Sequence, residues 1–213
     1  MSNKKPNIVV LGGGAYARLF AEHGNVRDYE DSLKGVNLVV FTGGADVWPG
    51  LYGEKTGRLT RCSLERDMLE SSIFDEAVGR GIPMAGICRG AQFLTVKNGG
   101  KLFQHVYNHG IFGEHGIETN EGKVYEVTST HHQMMNPWNM DAGDFEVLAW
   151  SEIILSDKYF NGNDEEVQPP IVEPEVVWYP KTRSLAMQFH PEYMPKDSAG
   201  RNYCQQLVRD YLL

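Results

Sequence analysis

Apolar residues in this chain gather into short uninterrupted runs that end in turn residues rather than alternating with polar ones. Asn7 to Leu11 (NIVVL) runs into Gly12-Gly13-Gly14, and Asn37 to Thr42 (NLVVFT) into Gly43-Gly44-Ala45-Asp46. Ile82 to Ile87 (IPMAGI) is the third such run. Runs of this length without alternation predict strands buried on both faces. Between them the period changes. Ala15 to His23 reads as a helix. Ser63 is an N-cap candidate, although Arg66 stands where a capping box would want Glu or Gln, and Leu64, Met68, Leu69, Ile73 and Ala77 keep helical spacing up to Gly81. Ala91 to Lys97 predicts a helix that stops before Asn98-Gly99-Gly100. Later strands are expected at Val124 to Thr128, Phe145 to Trp150, Val176 to Tyr179 and Leu185 to Phe189, with a last helix over about Ala199 to Leu213.

Buried strands alternating with helices predict an α/β fold whose mostly parallel sheet carries helices on both faces. The hairpin-like pair near the end adds antiparallel strands. Right-handed crossovers then place active groups at the carboxyl ends of the parallel strands. Two stretches fit no regular element: His105 to Gly122, rich in Gly and His, and Ser156 to Pro174, acidic with Pro169-Pro170. Both are expected to be long surface loops, the kind that form lids or contact surfaces. No repeat or linker divides the chain, so residues 1–213 are expected to form a single domain.

Composition narrows the class. With 41% hydrophobic and 23% charged residues over 213 positions, the chain has the balance of a globular domain rather than a disordered or fibrous one. No apolar run is long enough to span a bilayer, and Met1 to Pro6 leads into the first strand without a signal-peptide core, which predicts a cytoplasmic protein. Cys62, Cys88 and Cys204 are odd in number and lack CxxC spacing, so neither disulfides nor a structural zinc site is expected to organise the fold. A formal net charge of -8 without a basic cluster argues against nucleic acid as a partner.

The sharpest chemical feature is Gly86-Ile87-Cys88-Arg89-Gly90, where a buried strand passes into a helix. This is the G-x-nucleophile-x-G pattern of an elbow, with cysteine as nucleophile. The tight turn needs glycine on both sides, and the helix N-terminus favours the thiolate. A thiol nucleophile calls for a base, and His190 in Gln188-Phe189-His190-Pro191-Glu192 has an orienting carboxylate two residues on. In an extended segment the two side chains point the same way, so Glu192 accepts the Nδ1 proton and leaves Nε2 for the thiol.

Gly86-Ile87-Cys88-Arg89-Gly90-Ala91-Gln92 together with Phe189-His190-Pro191-Glu192 resembles the class I glutamine amidotransferase superfamily, and within it the gamma-glutamyl hydrolase-like branch (peptidase C26-like). Thr42-Gly43-Gly44-Ala45-Asp46, Arg66-Asp67, Asn98-Gly99-Gly100 and Ser129-Thr130-His131-His132-Gln133 support the branch. The resemblance implies a flavodoxin-like three-layer sandwich and cysteine-dependent cleavage of a gamma-glutamyl amide. Cys88 would attack, His190 would carry the proton, Glu192 would orient His190, and a glutamyl thioester would form. The backbone amides of Gly44 and Arg89 would make the oxyanion hole, and Gln92 and His132 would bind substrate. No cofactor or metal is implied.

Other residues have plainer readings. Adjacent His131 and His132 face opposite ways on an extended segment, so at most one reaches substrate. His105, His109 and His115 mimic metal-ligand spacing, but they run into glycines and lack the Glu of an H-E-x-x-H helix, so they are expected on a solvated loop. Arg66 and Asp67 read as helix ion-pair residues, and Trp48 and Tyr52 as a core cap or pocket wall. Three functions remain open: a stand-alone hydrolase, a glutaminase subunit passing ammonia to a separate synthetase or amidoligase, and a non-catalytic binding or regulatory module. A homodimer is among the expected assemblies. The acidic stretch Asp157, Asp164, Glu165, Glu166, Glu173 and Glu175 favours glutamine or a gamma-glutamyl amine over a polyglutamate.

Overall fold

The computed structural model describes residues 5–110 and 113–213. Nine strands form one sheet. They are β1 (Asn7–Leu11), β2 (Asn25–Arg27), β3 (Leu38–Phe41), β4 (Met84–Ile87), β7 (Gly113–Thr119), β8 (Val124–Ser129), β10 (Glu146–Ser151), β13 (Pro174–Tyr179) and β14 (Ser184–Met187), in the order β2-β1-β3-β4-β14-β13-β10-β7-β8. The first five in that order run parallel. From β13 onward every pairing is antiparallel. The three apolar runs are β1, β3 and β4, and they lie side by side.

Helices cover both faces. The alternation of side chains along a strand sends Ile8, Val10, Leu38 and Val40 to one side, where they pack with α1 (Ala15–Phe20) and α4 (Ala199–Leu212). Val9, Val39 and Phe41 face the other side, against α2 (Leu64–Arg80) and α3 (Arg89–Lys97). The architecture is the α/β three-layer sandwich expected from the pattern. Ser63 caps α2, its side chain accepting from Arg66 N, and Gly81 closes the helix in the left-handed region with φ 66.

The buried face of α2 is rotated from the one its apolar spacing predicts. Leu64, Met68 and Leu69 are about half exposed, whereas Asp67, Glu70, Ile73, Phe74 and Ala77 are buried. The cause is Arg89, a buried cation whose two carboxylate partners must come from this helix.

The two predicted surface loops are more structured than their composition suggests. The first contains β6 (His105–Val106) and all of β7, and His109 between them is fully buried; residues 111 and 112 lie outside the described set. In the second, β11 (Tyr159–Phe160) pairs with β6 and with β12 (Glu166–Val167), and Glu173 is completely buried. A further ribbon, β5 (Lys101–Phe103) with β9 (Met134–Asn136), joins the end of α3 to the segment after β8. No helix among the described residues is long and apolar enough to cross a membrane.

Candidate active site

Parallel pairing brings the chemistry together. Phe41 is in register with Gly86 and Ile87 with Met187, so the carboxyl ends of β3, β4 and β14 deliver Gly43-Gly44, Cys88 and His190 to one spot. Cys88 N donates to Met187 O at 2.8 Å, which fixes the nucleophile beside the strand that leads to His190.

Cys88 is the N-cap of α3, with φ 53 and ψ -111. A non-glycine residue in that region stores about 1–3 kcal/mol of strain, held here by the packing of both glycines around it. A Cβ on Gly86 would lie 2.4 Å from Gly90 O, and one on Gly90 would lie 2.2 Å from Phe41 O. Both obstacles are backbone, so only glycine fits. The elbow starts the helix at Arg89, two residues before the start expected from sequence.

His190 Nδ1 lies 2.6 Å from Glu192 Oε1, and the Glu192 side chain is fully buried. The pair meets through a 3-10 turn, Pro191–Tyr193, rather than along an extended segment, because Pro191 occupies the first position of that turn. Thr128 on β8 anchors the residue, accepting from His190 N and donating to His190 O at 2.8 Å. Tyr193 stacks on the imidazole at 5.2 Å. Burial alone would lower the imidazole, but hydrogen bonds with Cys88 and Glu192 outweigh it and raise His190 from 6.5 to about 10. His190 thus keeps its proton beside the Cys88 sulfur through the neutral range. The other two thiols differ: burial raises Cys62 and pushes Cys204 up to about 12.

Arg66 and Asp67, read as helix ion-pair residues, do form ion pairs, and Arg66 also supports the backbone that precedes Gly44. Arg66 Nη1 donates to Gly43 O at 3.0 Å and Nη2 to Thr42 O at 2.9 Å. In a trans peptide the C=O and N–H point opposite ways, so holding Gly43 O toward Arg66 turns the Gly44 N–H away from it. A Cβ on Gly44, whose φ is 135, would sit 2.5 Å from Arg66 Nη1. Arg66 also pairs with Glu70 at 2.7 Å, and Glu70 and Asp67 both pair with the buried Arg89 side chain. Asp67 Oδ2 accepts from Trp48 N at 2.9 Å as well. These charges tie the two predicted oxyanion donors, Gly44 and Arg89, to one helix. Their signal in the sequence was only the adjacency Arg66-Asp67.

Tyr16, just after the Gly12-Gly13-Gly14 turn, is a second missed neighbour. A Cβ on Gly43 would come 2.6 Å from its hydroxyl, and burial followed by the charge of Glu192 raises that hydroxyl well above its ordinary value.

The two histidines of Ser129-Thr130-His131-His132-Gln133 do point apart. His131 is buried, while the His132 side chain is 38% exposed and its Nε2 lies 3.1 Å from Asp46 Oδ1. His132, His105, Tyr107 and Phe160 form an aromatic rim beside Asp46. Gln92, expected to bind substrate, is instead enclosed: its Nε2 donates to Gln133 O at 2.8 Å and lies 3.4 Å from Gln188 Oε1. Trp48 flanks a 3-10 turn (Pro49–Tyr52) that buries Tyr52.

The chain belongs to the peptidase C26 family, whose model matches residues 4–153. It is of the class I glutamine amidotransferase type. It is 41% identical over 189 residues to the glutamine amidotransferase-like protein YvdE of Lactococcus lactis, covering 79% of this chain and 70% of that protein. The gamma-glutamyl-gamma-aminobutyrate hydrolase of Escherichia coli O157:H7 is 31% identical over 118 residues, 54% of this chain and 45% of that enzyme. Among solved structures, a glutamine amidotransferase from Thermotoga maritima superposes with a TM-score of 0.60 at 18% identity, covering 98% of this chain and 84% of the other.

Proposed function

We propose that the protein hydrolyses a gamma-glutamyl amide, either glutamine or a gamma-glutamyl amine, through a thioester on Cys88. The observation that carries the reading is the alignment of Cys88, on its strained turn at a helix N-terminus, with His190 and its buried partner Glu192. The Cys88 thiolate attacks the side-chain carbonyl of the glutamyl group. The oxygen that becomes negative faces the Gly44 and Arg89 N–H groups, the second of which has no partner within its helix. His190 then gives its Nε2 proton to the departing amine, and the C–N bond breaks. Water enters, loses a proton to His190 and attacks the thioester, releasing glutamate and restoring the thiolate. Glu192 keeps the imidazole in one tautomer throughout. Similarity to a gamma-glutamyl-gamma-aminobutyrate hydrolase supports an amine as leaving group.

The test is intact-mass measurement after exposure to a glutamine-analogue electrophile, followed by turnover of glutamine and gamma-glutamyl amines by the isolated protein. A single adduct on Cys88 with turnover is expected. Adduct without turnover until a synthetase is added would favour the ammonia-delivering subunit, and neither would leave a binding module.

Two further outcomes follow from the site. Because the proton on His190 is lost only as pH rises through about 10, kcat should stay level through the neutral range and fall on an alkaline limb near that value. The same raised value, against 6.5 in the unfolded chain, stabilises the fold fully below 6.5 and is lost through about 10. A pH–rate profile with its alkaline midpoint near 7 would contradict the assignment. The second concerns Arg66 as a positioning residue. Arg66→Met releases the Thr42 and Gly43 carbonyls, so kcat should drop about 10- to 100-fold while KM changes less than about threefold, with Arg66→Lys intermediate. Equal loss in kcat and gain in KM would mean that Arg66 holds substrate instead.

A further inference from the structure

The histidines assigned to a solvated loop by their sequence are drawn into the protein instead. His109 and the side chain of His131 are buried, and both approach Glu175 on β13, itself inaccessible. His109 Nδ1 and His131 Nε2 each lie 3.9 Å from Glu175 Oε1. The three ligand atoms fall within 4.8 Å of one another. His115 on β7 adds a third imidazole, its Nε2 3.2 Å from the same Glu175 oxygen.

The remaining contacts decide where the lone pairs point. His131 Nδ1 lies 2.9 Å from Gln133 O, an acceptor, so Nδ1 carries the proton and Nε2 presents a lone pair. His109 Nε2 lies 3.2 Å from Glu173 Oε1 and its Nδ1 faces Glu175, and neither nitrogen makes a hydrogen bond. Glu173 is fixed as an acceptor by the backbone N–H groups of Leu155 and Ser156 and by the Tyr159 hydroxyl. The His131 Nε2 lone pair and the unpartnered His109 Nδ1 therefore converge on Glu175 Oε1, which also accepts from Ser151 Oγ at 3.5 Å. Both His109 nitrogens, His131 Nε2 and Glu175 Oε2 have no hydrogen-bond partner.

Charge points the same way. Glu173 and Glu175 are two buried carboxylates whose only ion-pair partners among the described residues are histidines, with no Lys or Arg. Buried charge of that kind needs a compensating cation. A histidine whose outer nitrogen leans on a carboxylate or a backbone carbonyl, while its inner nitrogen faces a shared centre, is the arrangement that orients metal ligands.

We propose that His109, His131 and Glu175 bind one divalent transition-metal ion, Zn2+ by the softness of the donor set. Tetrahedral zinc sets neighbouring ligand atoms about 3.3 Å apart, so the two 3.9 Å separations need to close by little more than half an ångström and the third, within 4.8 Å, by at most about 1.5 Å. Two charges on the metal balance the carboxylates of Glu173 and Glu175 if the imidazoles are neutral. The site makes no contact with Cys88, so its role is in holding the fold rather than in the reaction. It would clamp the segment before β7 and the turn after β8 to β13, fixing the backbone from which His132 reaches the rim. His115 borders a surface cleft with Gly113, Ser129 and Ile154, which gives the ion a way in.

The test uses the full chain expressed with Zn2+ or Co2+ in the medium and does not depend on catalysis. About one metal ion per chain should survive gel filtration, and its removal by a chelator should lower the melting temperature, with recovery on adding Zn2+ back. Glu175→Gln and His131→Gln should retain at least about tenfold less metal, whereas Cys88→Ser should retain it all. Should the buried variants fail to fold, the wild-type Co2+ protein decides the matter. Tetrahedral d–d bands without a thiolate charge-transfer band support the site. Absence of bound metal, no thermal shift with Zn2+, or a thiolate band would overturn it, leaving a protonated histidine–carboxylate network in its place.

Discussion

Replacing Cys88 by Ala should abolish both adduct formation with a glutamine-analogue electrophile and turnover, a loss of at least about 10⁴-fold by analogy with removal of other covalent nucleophiles. The protein should remain folded. The side chain is small, and its backbone N–H bond to Met187 O does not involve the sulfur. Alanine leaves the φ of 53 in place, so the turn keeps its strain and loses only its reacting atom. The competing thiols make the experiment selective. Cys204 is buried and pushed up to about 12, and Cys62 is raised by burial with no histidine paired to it among the described residues. Labelling should therefore favour Cys88 over both other thiols. Equal labelling of Cys62, or turnover by the Cys88→Ala protein, would sink the assignment.

The parallel half of the sheet is legible in the sequence because it is buried on both sides. Strands such as β3 and β4 have no solvent face, so their residues form apolar runs, and the turns that follow show up as glycine. The elbow is legible for a related reason: backbone stands within 2.4 Å of where a side chain would begin at Gly86 and Gly90, which forces a local signature. Features whose cause lies far along the chain are not. The helix α2 was readable as a helix but not in its orientation, since burying Asp67 and Glu70 makes sense only once Arg89, 22 and 19 positions on, is known to point between them. His109 reads as a loop residue until Glu173 and Glu175, contributed by a distant strand and its approach, meet it in the interior. The short strands β5, β6, β9, β11 and β12 are two or three residues long, too brief for any periodicity to declare itself.

The same burial changes the electrostatic case for substrate. Of the acidic stretch between 157 and 175, Glu173 and Glu175 face inward and exert no field on an approaching ligand of the kind a surface carboxylate would. Asp164 accepts from Arg58 N at 3.0 Å and so organises a turn. Asp46 is held under His132, with the aromatic rim around it. Discrimination among amines then rests on close contact at that rim more than on long-range attraction. A substrate panel measured at low and high salt should show preferences that salt changes little.

His190→Ala should approach the inactivity of Cys88→Ala, whereas Glu192→Gln should keep measurable turnover. The difference follows from what each group does to the proton. Without His190 the group that holds a proton beside the sulfur and returns one to the leaving amine is gone, and His132 is engaged at 3.1 Å with Asp46. Glu192 never meets the substrate; it fixes the ring from behind at 2.6 Å and helps to keep it protonated. Glutamine at 192 can still accept from Nδ1 through its carbonyl, so orientation survives in part while the charge is lost. The rate should fall about 10²- to 10³-fold, less than the complete charge-bearing partner contributes in a buried triad. The alkaline limb should also move below its wild-type position near 10, because the carboxylate no longer supports the imidazolium. That displacement separates a positioning role from simple damage, which would lower the plateau and leave the limb in place. A His190→Ala protein with ordinary turnover would show that another group is the base, and an unshifted limb in Glu192→Gln would remove Glu192 from the triad.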